Sequence, residues 1–425
     1  MFRLVVIFLW VMLMPSNHLA CAKRHHQRAC SAPVVSLISP YKIPDVGWTV
    51  HGSIAFAVDV HDFVSISKVD FYVNGELIFS DRDYPWGLLW KTRELEPTSY
   101  TLKAVATNSC GAYTAISQTV NVAAPLTKAS AEGTVVTSGL LPDIQPAIED
   151  INLRDTSVTV GPDNVYYLSG TGADNDAWHH NEGINLWKSD DLKTWTYVGL
   201  IWSFERDGYD DEKTWWYYKE TQRFRAVWAP EIQYLHGSFY ITYSLQWKGS
   251  KLLVSTTGLP QGPYALAAGE EVNLFNNIDG SLFADDKNSK IGYLCYESGT
   301  IFELNSSWNA TTGSPTRINA GDEGCFVFHW RAKYYMSVAL FMSNGRYSSW
   351  VGLSDGPTGP FTSFHEALPC GGHNSYFIDK CGNLWGTFFG NDVQAPWREK
   401  PAIVRMATNA NGTLYLHKNQ AVPTC

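Results

Sequence analysis

Five polar residues with chemically useful side chains stand directly ahead of strand-like runs in the C-terminal two-thirds of this 425-residue chain. Four are carboxylates and the fifth is a histidine: Asp155, Glu231, Asp279, Glu323 and His373. Carboxyl and imidazole groups give and take protons when their surroundings tune them, so a group of them at one place could perform acid–base chemistry. They lie about 76, 48, 44 and 50 residues apart, and this regularity predicts that a repeated structure places them.

Each of these residues introduces two short apolar runs that are separated by a polar break. After Glu323, for example, the runs are Cys325–Phe328 and Tyr334–Leu340. A period of this size built from strand pairs is typical of a β-propeller with about four strands per blade. A second pattern repeats at 189–197, 255–264 and 354–361. In each segment turn residues precede an aromatic, as expected where the chain turns into the outer strand of a blade. We therefore predict five blades, with the five polar residues at one mouth of the central channel.

The sequences around three of the acids make the chain from about Asp150 to Leu416 resemble glycoside hydrolase family 43, a family of five-bladed propellers. The matches are Arg154-Asp155 to the family's Arg-Asp-Pro, 278–286 to its Ile-Asp-x-Ser-x-Phe-x-Asp-Asp segment, and Glu323-Gly324 to its Glu-Gly-Pro. Thr156, Gly280 and Cys325 stand where the family often has proline. The resemblance implies an all-β propeller enzyme that hydrolyses glycosidic bonds.

The resemblance also implies a role for each acid. Asp155 matches the general base, Glu323 the general acid, and Asp279 the carboxylate that raises the pKa of the acid by like-charge repulsion. An inverting glycosidase uses one carboxylate to activate water and another, protonated, to donate to the leaving oxygen. The implied substrates are polysaccharide side chains that carry arabinosyl, xylosyl or galactosyl groups.

Four further residues are candidates for ligand contacts. Glu231, in Trp228-Ala-Pro-Glu231, would contact a sugar hydroxyl or make a structural hydrogen bond across the blade, and Trp228 is a candidate sugar contact. Trp215 and Trp216 lie in a long insertion, 202–225, and would either wall the pocket or pack within the loop.

His373 matches a histidine that, in many family members, helps hold a central ion, often calcium. A hydrogen-bonded core histidine is the alternative. No organic cofactor is expected.

Residues 33–122 predict a separate all-β module. In residues 54–60 and 69–73, larger apolar residues alternate with smaller or more polar ones, and Asn74-Gly75 is a strong signal for a tight hairpin. Six or seven short strands in this span predict an immunoglobulin-like sandwich that resembles modules attached to bacterial carbohydrate-active enzymes. Such a module would act as a spacer or as a binder. We expect a linker over 123–147 and the propeller over 148–420.

The N-terminus and the composition predict a secreted protein. Residues 1–22 have the charged start, apolar stretch and small-residue cleavage site of a signal peptide. Seven cysteines follow it, which favours disulfides, and Cys30–Cys110 is the expected pair in the first module. No apolar run is long enough to span a membrane. A net charge of −9 argues against nucleic acid, whereas 17 tryptophans suit an oligo- or polysaccharide partner.

Two other functions fit the same pattern. One is a propeller that binds sugars without catalysis, and the other is a retaining, fructan-acting relative. The distance between the carboxyl groups distinguishes them, because a retaining enzyme needs its two carboxyls closer together than an inverting one. The sequence leaves the sugar, the linkage, exo or endo action and the oligomeric state open.

Overall fold

The computed structural model describes residues 30–42, 47–50, 52–92, 94–123, 141, 144–172, 179–213, 217–219, 222–245, 248–268, 274, 278–285, 288–342, 345–391, 395 and 397–423. The predicted signal peptide and nearly all of the predicted linker lie outside these residues. Among the described residues, no helix is both long and apolar enough to cross a membrane.

The first eight strands form two sheets that pack as an immunoglobulin-like sandwich, and their pairs are antiparallel except for β2 with β8. They are β1 Val34–Ser39, β2 Thr49–Val50, β3 Ser53–His61, β4 Ile66–Val73, β5 Glu76–Asp81, β6 Gly87–Lys91, β7 Ser99–Asn108 and β8 Tyr113–Val122. One sheet has the order β1-β3-β6 and the other β2-β8-β7-β4-β5, with β2 parallel to β8. The alternating side chains of β3, β4 and β7 meet in the core between the sheets.

The predicted hairpin at Asn74-Gly75 joins β4 to β5. Both residues have positive φ, 50° and 87°, which is the conformation that a two-residue turn of this kind requires. The sequence prediction of this turn is therefore confirmed.

Five four-stranded antiparallel sheets follow within the described residues, and they are the blades of the propeller. Blade 1 is β9 Arg154–Val160, β10 Tyr166–Thr171, β11 Gly183–Ser189 and β12 Thr196–Ser203. The short helix α1 Asp210–Lys213 and the hairpin β13 Tyr217–Lys219, β14 Gln222–Phe224 come next. Blade 2 is β15 Trp228–Leu235, β16 Ser238–Leu245, β17 Gly249–Ser255 and β18 Tyr264–Leu266.

The remaining blades repeat the same strand order. Blade 3 is β19 Ser281–Asp285, β20 Asn288–Tyr296, β21 Thr300–Leu304 and β22 Thr311–Arg317. Blade 4 is β23 Glu323–Trp330, β24 Lys333–Phe341, β25 Tyr347–Ser354 and β26 Thr362–Leu368. Blade 5 is β27 Tyr376–Ile378, β28 Leu384–Phe389, β29 Pro401–Thr408 and β30 Leu414–Leu416. The repeated Ser-to-aromatic segments lie between the third and fourth strands of blades 1, 2 and 4, as predicted.

Large apolar side chains fill the space between neighbouring blades. Blades 1 and 2 share one cluster, blades 2 and 3 another, and the series continues until blade 5 packs on blade 1. Trp187, Trp202 and Trp385 are among the largest fully buried side chains. Part of the tryptophan excess that suggested sugar binding is therefore core packing.

The ring closes between its last blade and the segment that precedes its first. The Ala147 amide donates to the Pro401 carbonyl at 2.7 Å, and the Leu153 amide donates to the Glu399 carbonyl at 2.9 Å. Inside the ring, the Thr387 hydroxyl donates to the Thr156 carbonyl at 2.7 Å. These hydrogen bonds join residues more than 200 positions apart and fix the start of blade 1 against blade 5.

The sandwich packs directly on blade 1. Ile38, Ala55 and Ala57 form a small buried cluster with Leu200 of β12. The Glu182 carboxyl accepts a hydrogen bond from the Ala55 amide at 3.1 Å and is almost fully buried. Tyr41 lies under the Arg225 guanidinium, 5.1 Å from ring centre to Cζ. The sandwich is therefore in direct contact with the propeller through apolar, polar and cation–π interactions.

A disulfide between Cys295 and Cys325 links blade 3 to blade 4. Cys30, Cys110 and Cys381 are also disulfide-bonded, and Cys370 is a buried thiol. The pairing of Cys30 with Cys110 stays a prediction.

We predict that Glu182→Gln increases stability at alkaline pH. Burial raises the pKa of Glu182 to about 7, so the folded protein keeps a proton that the unfolded chain releases above its ordinary pKa of 4.5. Stability should therefore fall as pH rises from 4.5 to about 7. Glutamine keeps the acceptor oxygen without the charge, so the variant should match wild type at pH 4.5 and exceed its Tm at pH 8 by about 2–4 °C. Scanning calorimetry across this range measures the difference.

Glu76→Gln is the control for this experiment, because Glu76 is exposed on the edge strand β5. Its Tm should follow wild type at every pH. Equal pH dependence in wild type and Glu182→Gln would show that the Glu182 carboxyl does not carry this linkage.

Candidate functional site

The five blades open at the channel mouth with the same backbone feature. One residue near the start of each first strand, either its second residue or two to three positions ahead of it, has a positive φ: Asp155 at 49°, Ala229 at 43°, Asp279 at 60°, Gly324 at 67° and His373 at 53°. Non-glycine residues rarely adopt this left-handed conformation outside turns, and such residues are enriched at functional sites. The repeated left-handed residue defines five equivalent positions around the mouth.

The left-handed positions show which residues of the five blades are equivalent. Asp155, Asp279 and His373 occupy the left-handed position itself, and Glu323 is one residue ahead of it. Glu231, which the sequence suggested as the blade 2 equivalent, lies two residues further along its strand, and Ala229 takes the left-handed position. The residues after the left-handed position are Thr156, Pro230, Gly280, Cys325 and Asn374.

Gly324 is the one left-handed residue that could not carry a side chain. A Cβ atom there would lie 2.8 Å from Cγ of His373. Because glycine adopts positive φ without strain and lacks a Cβ, blade 4 can approach the histidine of blade 5. This close approach brings Glu323 to the same end of the channel as the other acids.

His373 lies between two of the acids. Its Nδ1 is 3.3 Å from Oδ1 of Asp155 and 3.9 Å from Oδ2 of Asp279. The Gly324 amide donates to the same Asp279 oxygen at 3.3 Å. The structure therefore brings Asp155, Asp279 and His373, from blades 1, 3 and 5, into one cluster.

Glu323 is held in a state suited to proton donation. Burial is the largest cause that raises its pKa to about 7, and repulsion by Asp279 is the second. His373 and a 2.8 Å hydrogen bond from the Tyr347 hydroxyl to Oε1 act in the opposite direction. A carboxyl that keeps its proton up to about pH 7 can act as a general acid near neutrality.

The pKa of Asp279 is raised to about 8, first by burial and then by the charge of Asp155. The hydrogen bond from the Gly324 amide opposes this increase. Sequence reasoning gave repulsion as the means by which Asp279 would act on Glu323. In the folded protein burial contributes more, and repulsion adds to it.

Asp155 is surrounded by hydrogen-bond donors and a cation. The Thr171 hydroxyl donates to its Oδ2 at 2.7 Å, and His373 faces its Oδ1. Arg154, the preceding residue, attracts its charge and also faces Glu399 at 3.6 Å. These groups surround the carboxyl of Asp155, the residue that the sequence predicts as the general base.

Glu231 makes a structural hydrogen bond between blades. Its Oε1 accepts from the Ser281 hydroxyl of blade 3 at 2.9 Å and from Gln233 at 3.1 Å. Burial raises its pKa to about 8. It also lines a cavity of about 10 Å³, together with Asp155, Asp279, His373 and Asn374. This geometry favours the structural alternative that the sequence left open.

Of the three tryptophans that the sequence suggested as sugar contacts, only Trp228 lies within the described residues. Trp228 is partly exposed and immediately precedes the left-handed Ala229, so it lies at the mouth. Trp215 and Trp216 lie outside the described residues. Near them in sequence, the buried Glu212 of α1 contacts Lys251 of blade 2 and accepts from the Tyr243 hydroxyl at 3.3 Å. These two contacts attach the insertion to blade 2.

Sequence reasoning missed Thr171, which donates to Asp155, and Tyr347, which donates to Glu323. It also missed Ser244, whose hydroxyl accepts from the Asp279 amide at 2.9 Å. Tyr347 reaches Glu323 from β25, and only the pairing of strands within blade 4 reveals that contact. Thr171 and Ser244 were detectable in principle, because each is a hydroxyl residue at or near the end of the second strand of its blade.

The sequence matches two known families. The family profile described as glycosyl hydrolases family 43 matches residues 146–414, and the bacterial Ig domain profile matches residues 33–104. The extracellular endo-α-(1→5)-L-arabinanase 1 of Bacillus subtilis is 26% identical over 268 residues, which are 58% of this chain and 77% of that protein. The β-D-galactofuranosidase xynD of Aspergillus niger is 28% identical over 217 residues, covering 46% of this chain and 62% of that protein.

Solved structures show the same fold. An α-L-arabinofuranosidase from Clostridium thermocellum superimposes with a TM-score of 0.50 and 23% identity, covering 63% of this chain and 94% of that one. A thermostable family-43 glycoside hydrolase has a TM-score of 0.50 and 20% identity, covering 66% of this chain and 98% of that one. At these identities the similarity concerns the fold.

Proposed function

The chain belongs to glycosyl hydrolases family 43, and we propose that it is a secreted, inverting glycosidase that acts on polysaccharide side chains carrying arabinosyl, xylosyl or galactosyl groups. The observation that carries the proposal is the arrangement at the channel mouth. Asp155 and Asp279 meet His373 there, and the buried Glu323 has a pKa raised to about 7. This combination supplies both a base and an acid near neutral pH.

In the proposed reaction Asp155 takes a proton from a water molecule as that water attacks the anomeric carbon. The bond from the anomeric carbon to the leaving oxygen breaks, and Glu323 gives its proton to that oxygen. One displacement inverts the configuration and leaves Asp155 protonated and Glu323 ionised. Asp279 assists because ionisation of one of these two carboxyls disfavours ionisation of the other, which helps Glu323 to keep its proton before the reaction.

Several features support the substrate class and the location. The printed names of the two relatives describe an arabinanase and a galactofuranosidase. Trp228 at the mouth offers an aromatic face to sugar CH groups, and Trp215 and Trp216 remain predicted contacts. The predicted signal peptide, the disulfides and the extracellular arabinanase relative support secretion.

A calcium ion on the propeller axis is a further part of this proposal. Within the described residues, no three His, Cys, Asp or Glu side chains are arranged to hold a metal by themselves. However, two buried oxygens without hydrogen-bond partners, Thr156 Oγ1 and Asn374 Oδ1, belong to residues that line the axial cavity. Neutral oxygens and carboxylates are the ligands that calcium prefers, and about 10 Å³ leaves room for a single ion or water. His373 would support the ion partly through water.

The first prediction from this proposal separates the acid from the base. Glu323→Gln and Asp155→Asn should each lower kcat on unactivated glycosides by roughly 10²–10⁴-fold, with folding intact by circular dichroism. On a dinitrophenyl glycoside, Glu323→Gln should recover far more activity, because that leaving group needs little protonation. Its residual kcat/KM should also lose the decline that wild type shows as pH rises through about 7. Equal losses on both substrates would remove Glu323 from the acid role.

The second prediction concerns stereochemistry. Proton NMR of the first-formed sugar, recorded before mutarotation, should show the opposite anomer to the substrate. The distance between the Asp155 and Glu323 carboxyls should fall in the range of about 6.5–9.5 Å that admits a water molecule. A product of retained configuration, or trapping of Asp155 by a fluoro-sugar, would favour the retaining fructan-type alternative. No product from a panel of aryl glycosides would favour the catalytically silent alternative.

The third prediction tests the axial ion. Treatment of purified protein with EDTA should lower the Tm, and calcium should restore it, because an ion bound only to the folded state stabilises it. Asn374→Ala should reduce this response, since it removes one unpartnered oxygen from the cavity. Elemental analysis should find about one calcium per chain. An unchanged Tm together with no bound metal would contradict the calcium site and indicate that the cavity holds water instead.

A further inference from the structure

The segment that leads into blade 2 pairs with the segment that precedes β11 of blade 1. The Arg225 amide donates to the His179 carbonyl at 2.8 Å, and the Asn181 amide donates to the Arg225 carbonyl at 3.1 Å. The Asn181 side chain bonds both backbone groups of Val227, accepting from the amide at 3.0 Å and donating to the carbonyl at 2.9 Å. The next residue is Trp228, so this pairing fixes the place of Trp228 at the channel mouth.

The side chain of Arg225 is enclosed by the insertion and by the sandwich, and it is only 2% exposed. Its guanidinium donates to Oε1 of Glu205 at 2.9 Å and to the Lys213 carbonyl at 2.8 Å. Two aromatic rings lie against it, because Cζ is 4.6 Å from the ring centre of Phe204 and 5.1 Å from that of Tyr41. Of these contacts, Tyr41 is the one that the sandwich contributes.

Tyr41 contacts both members of the pairing that precedes blade 2. Its ring lies against the Arg225 guanidinium, and its hydroxyl donates to the Asn181 carbonyl at 3.5 Å. The strand that leads to Tyr41 is itself fixed in the sandwich, since the Ser39 hydroxyl donates to the Ala55 carbonyl at 2.6 Å. The sandwich is therefore connected, through one tyrosine, to the backbone that carries Trp228.

We propose that Tyr41 is a positioning residue for Trp228, so that the sandwich forms part of the substrate-binding apparatus. The Tyr41 ring holds the Arg225 guanidinium, Arg225 and Asn181 hold the segment between them, and that segment presents Trp228 at the mouth. A guanidinium gains most from an aromatic face where water is excluded, as it is around Arg225. The inference rests on the proposed function, in which Trp228 contacts the sugar.

Tyr41→Leu tests the proposal, because leucine keeps much of the apolar volume and loses both the ring and the hydroxyl. We expect KM for the aryl glycoside that wild type hydrolyses fastest to rise about three- to tenfold, the effect of losing one cation–π contact. kcat should change little, because a sugar contact made equally in the ground state and the transition state affects KM alone. Tyr41→Phe should restore KM, since phenylalanine keeps the ring. Tyr41→Met provides the same readouts should the leucine variant fold poorly.

A double-mutant cycle shows whether Tyr41 acts through Trp228. Trp228→Ala alone should raise KM by more than Tyr41→Leu does, and adding Tyr41→Leu to it should raise KM no further. A purely structural role of Tyr41 would instead give two independent increases that multiply. Increases that multiply, or a KM that stays at the wild-type value in Tyr41→Leu, would overturn the proposal.

Tyr84→Leu is the matched control, because Tyr84 is another sandwich tyrosine that lies against an arginine of the insertion. Its ring centre is 5.6 Å from Cζ of Arg206. Arg206 forms an ion pair with Asp207 and lies outside the segment that leads into blade 2. The Tm of Tyr84→Leu should fall by an amount similar to that of Tyr41→Leu, while its KM stays at the wild-type value. An equal rise of KM in both variants would contradict a specific role of Tyr41.

A spectroscopic measurement separates this inference from the proposed function. In protein labelled with 5-fluorotryptophan, the ¹⁹F resonance of Trp228 is identified by its loss in Trp228→Phe. Its chemical shift should change in Tyr41→Leu and stay at the wild-type value in Tyr41→Phe and Tyr84→Leu. Absence of hydrolysis by wild type would refute the proposed function, and this spectrum would still test the connection from Tyr41 to Trp228. A Trp228 resonance that does not move in Tyr41→Leu would refute the positioning role.

Discussion

Closure of five blades into a ring is the constraint on which the site depends. Each first strand runs along the channel, so the residues that open these strands meet at one mouth although they are far apart in the chain. At that mouth the backbone is left-handed in every blade, and four of the five residues there are not glycine. Such conformations persist only where neighbouring structure enforces them. Here the hydroxyls of the preceding blade do so for Ala229 and Asp279.

The chemistry of the site follows from placing several carboxyls where water is scarce. Glu323, Asp279 and Glu231 all have raised pKa values, and burial is the first cause for each. Asp155 differs because Thr171, Arg154 and His373 offer it protons or positive charge. The ring of acidic residues thus separates into three buried groups with raised pKa values and Asp155, whose carboxyl is surrounded by hydrogen-bond donors and a cation.

The N-terminal sandwich contacts blade 1, which carries Asp155 at the channel mouth. Arg225 contacts Tyr41 of the sandwich and Glu205 of the insertion, and its backbone pairs with the segment around His179. The next residues on the chain are Ala226 and Val227, and Val227 is held by the Asn181 side chain before Trp228 reaches the mouth. The sandwich therefore adjoins the elements that lead into blade 2.

Local sequence was enough to predict the fold class, because short-range signals encode it. Strand alternation, the Asn74-Gly75 turn and the blade-sized spacing of polar residues depend on neighbours in the chain, and the motifs around Asp155, Asp279 and Glu323 could be read directly. The position of Glu231, the contact of Tyr347 with Glu323, and the placement of the sandwich on blade 1 could not be derived in this way. Each depends on strand register or on a contact between distant segments. The raised pKa values of Glu323, Asp279 and Glu231 also depend on tertiary structure. Burial and electrostatic repulsion arise only when the ring closes and brings acidic groups together away from water.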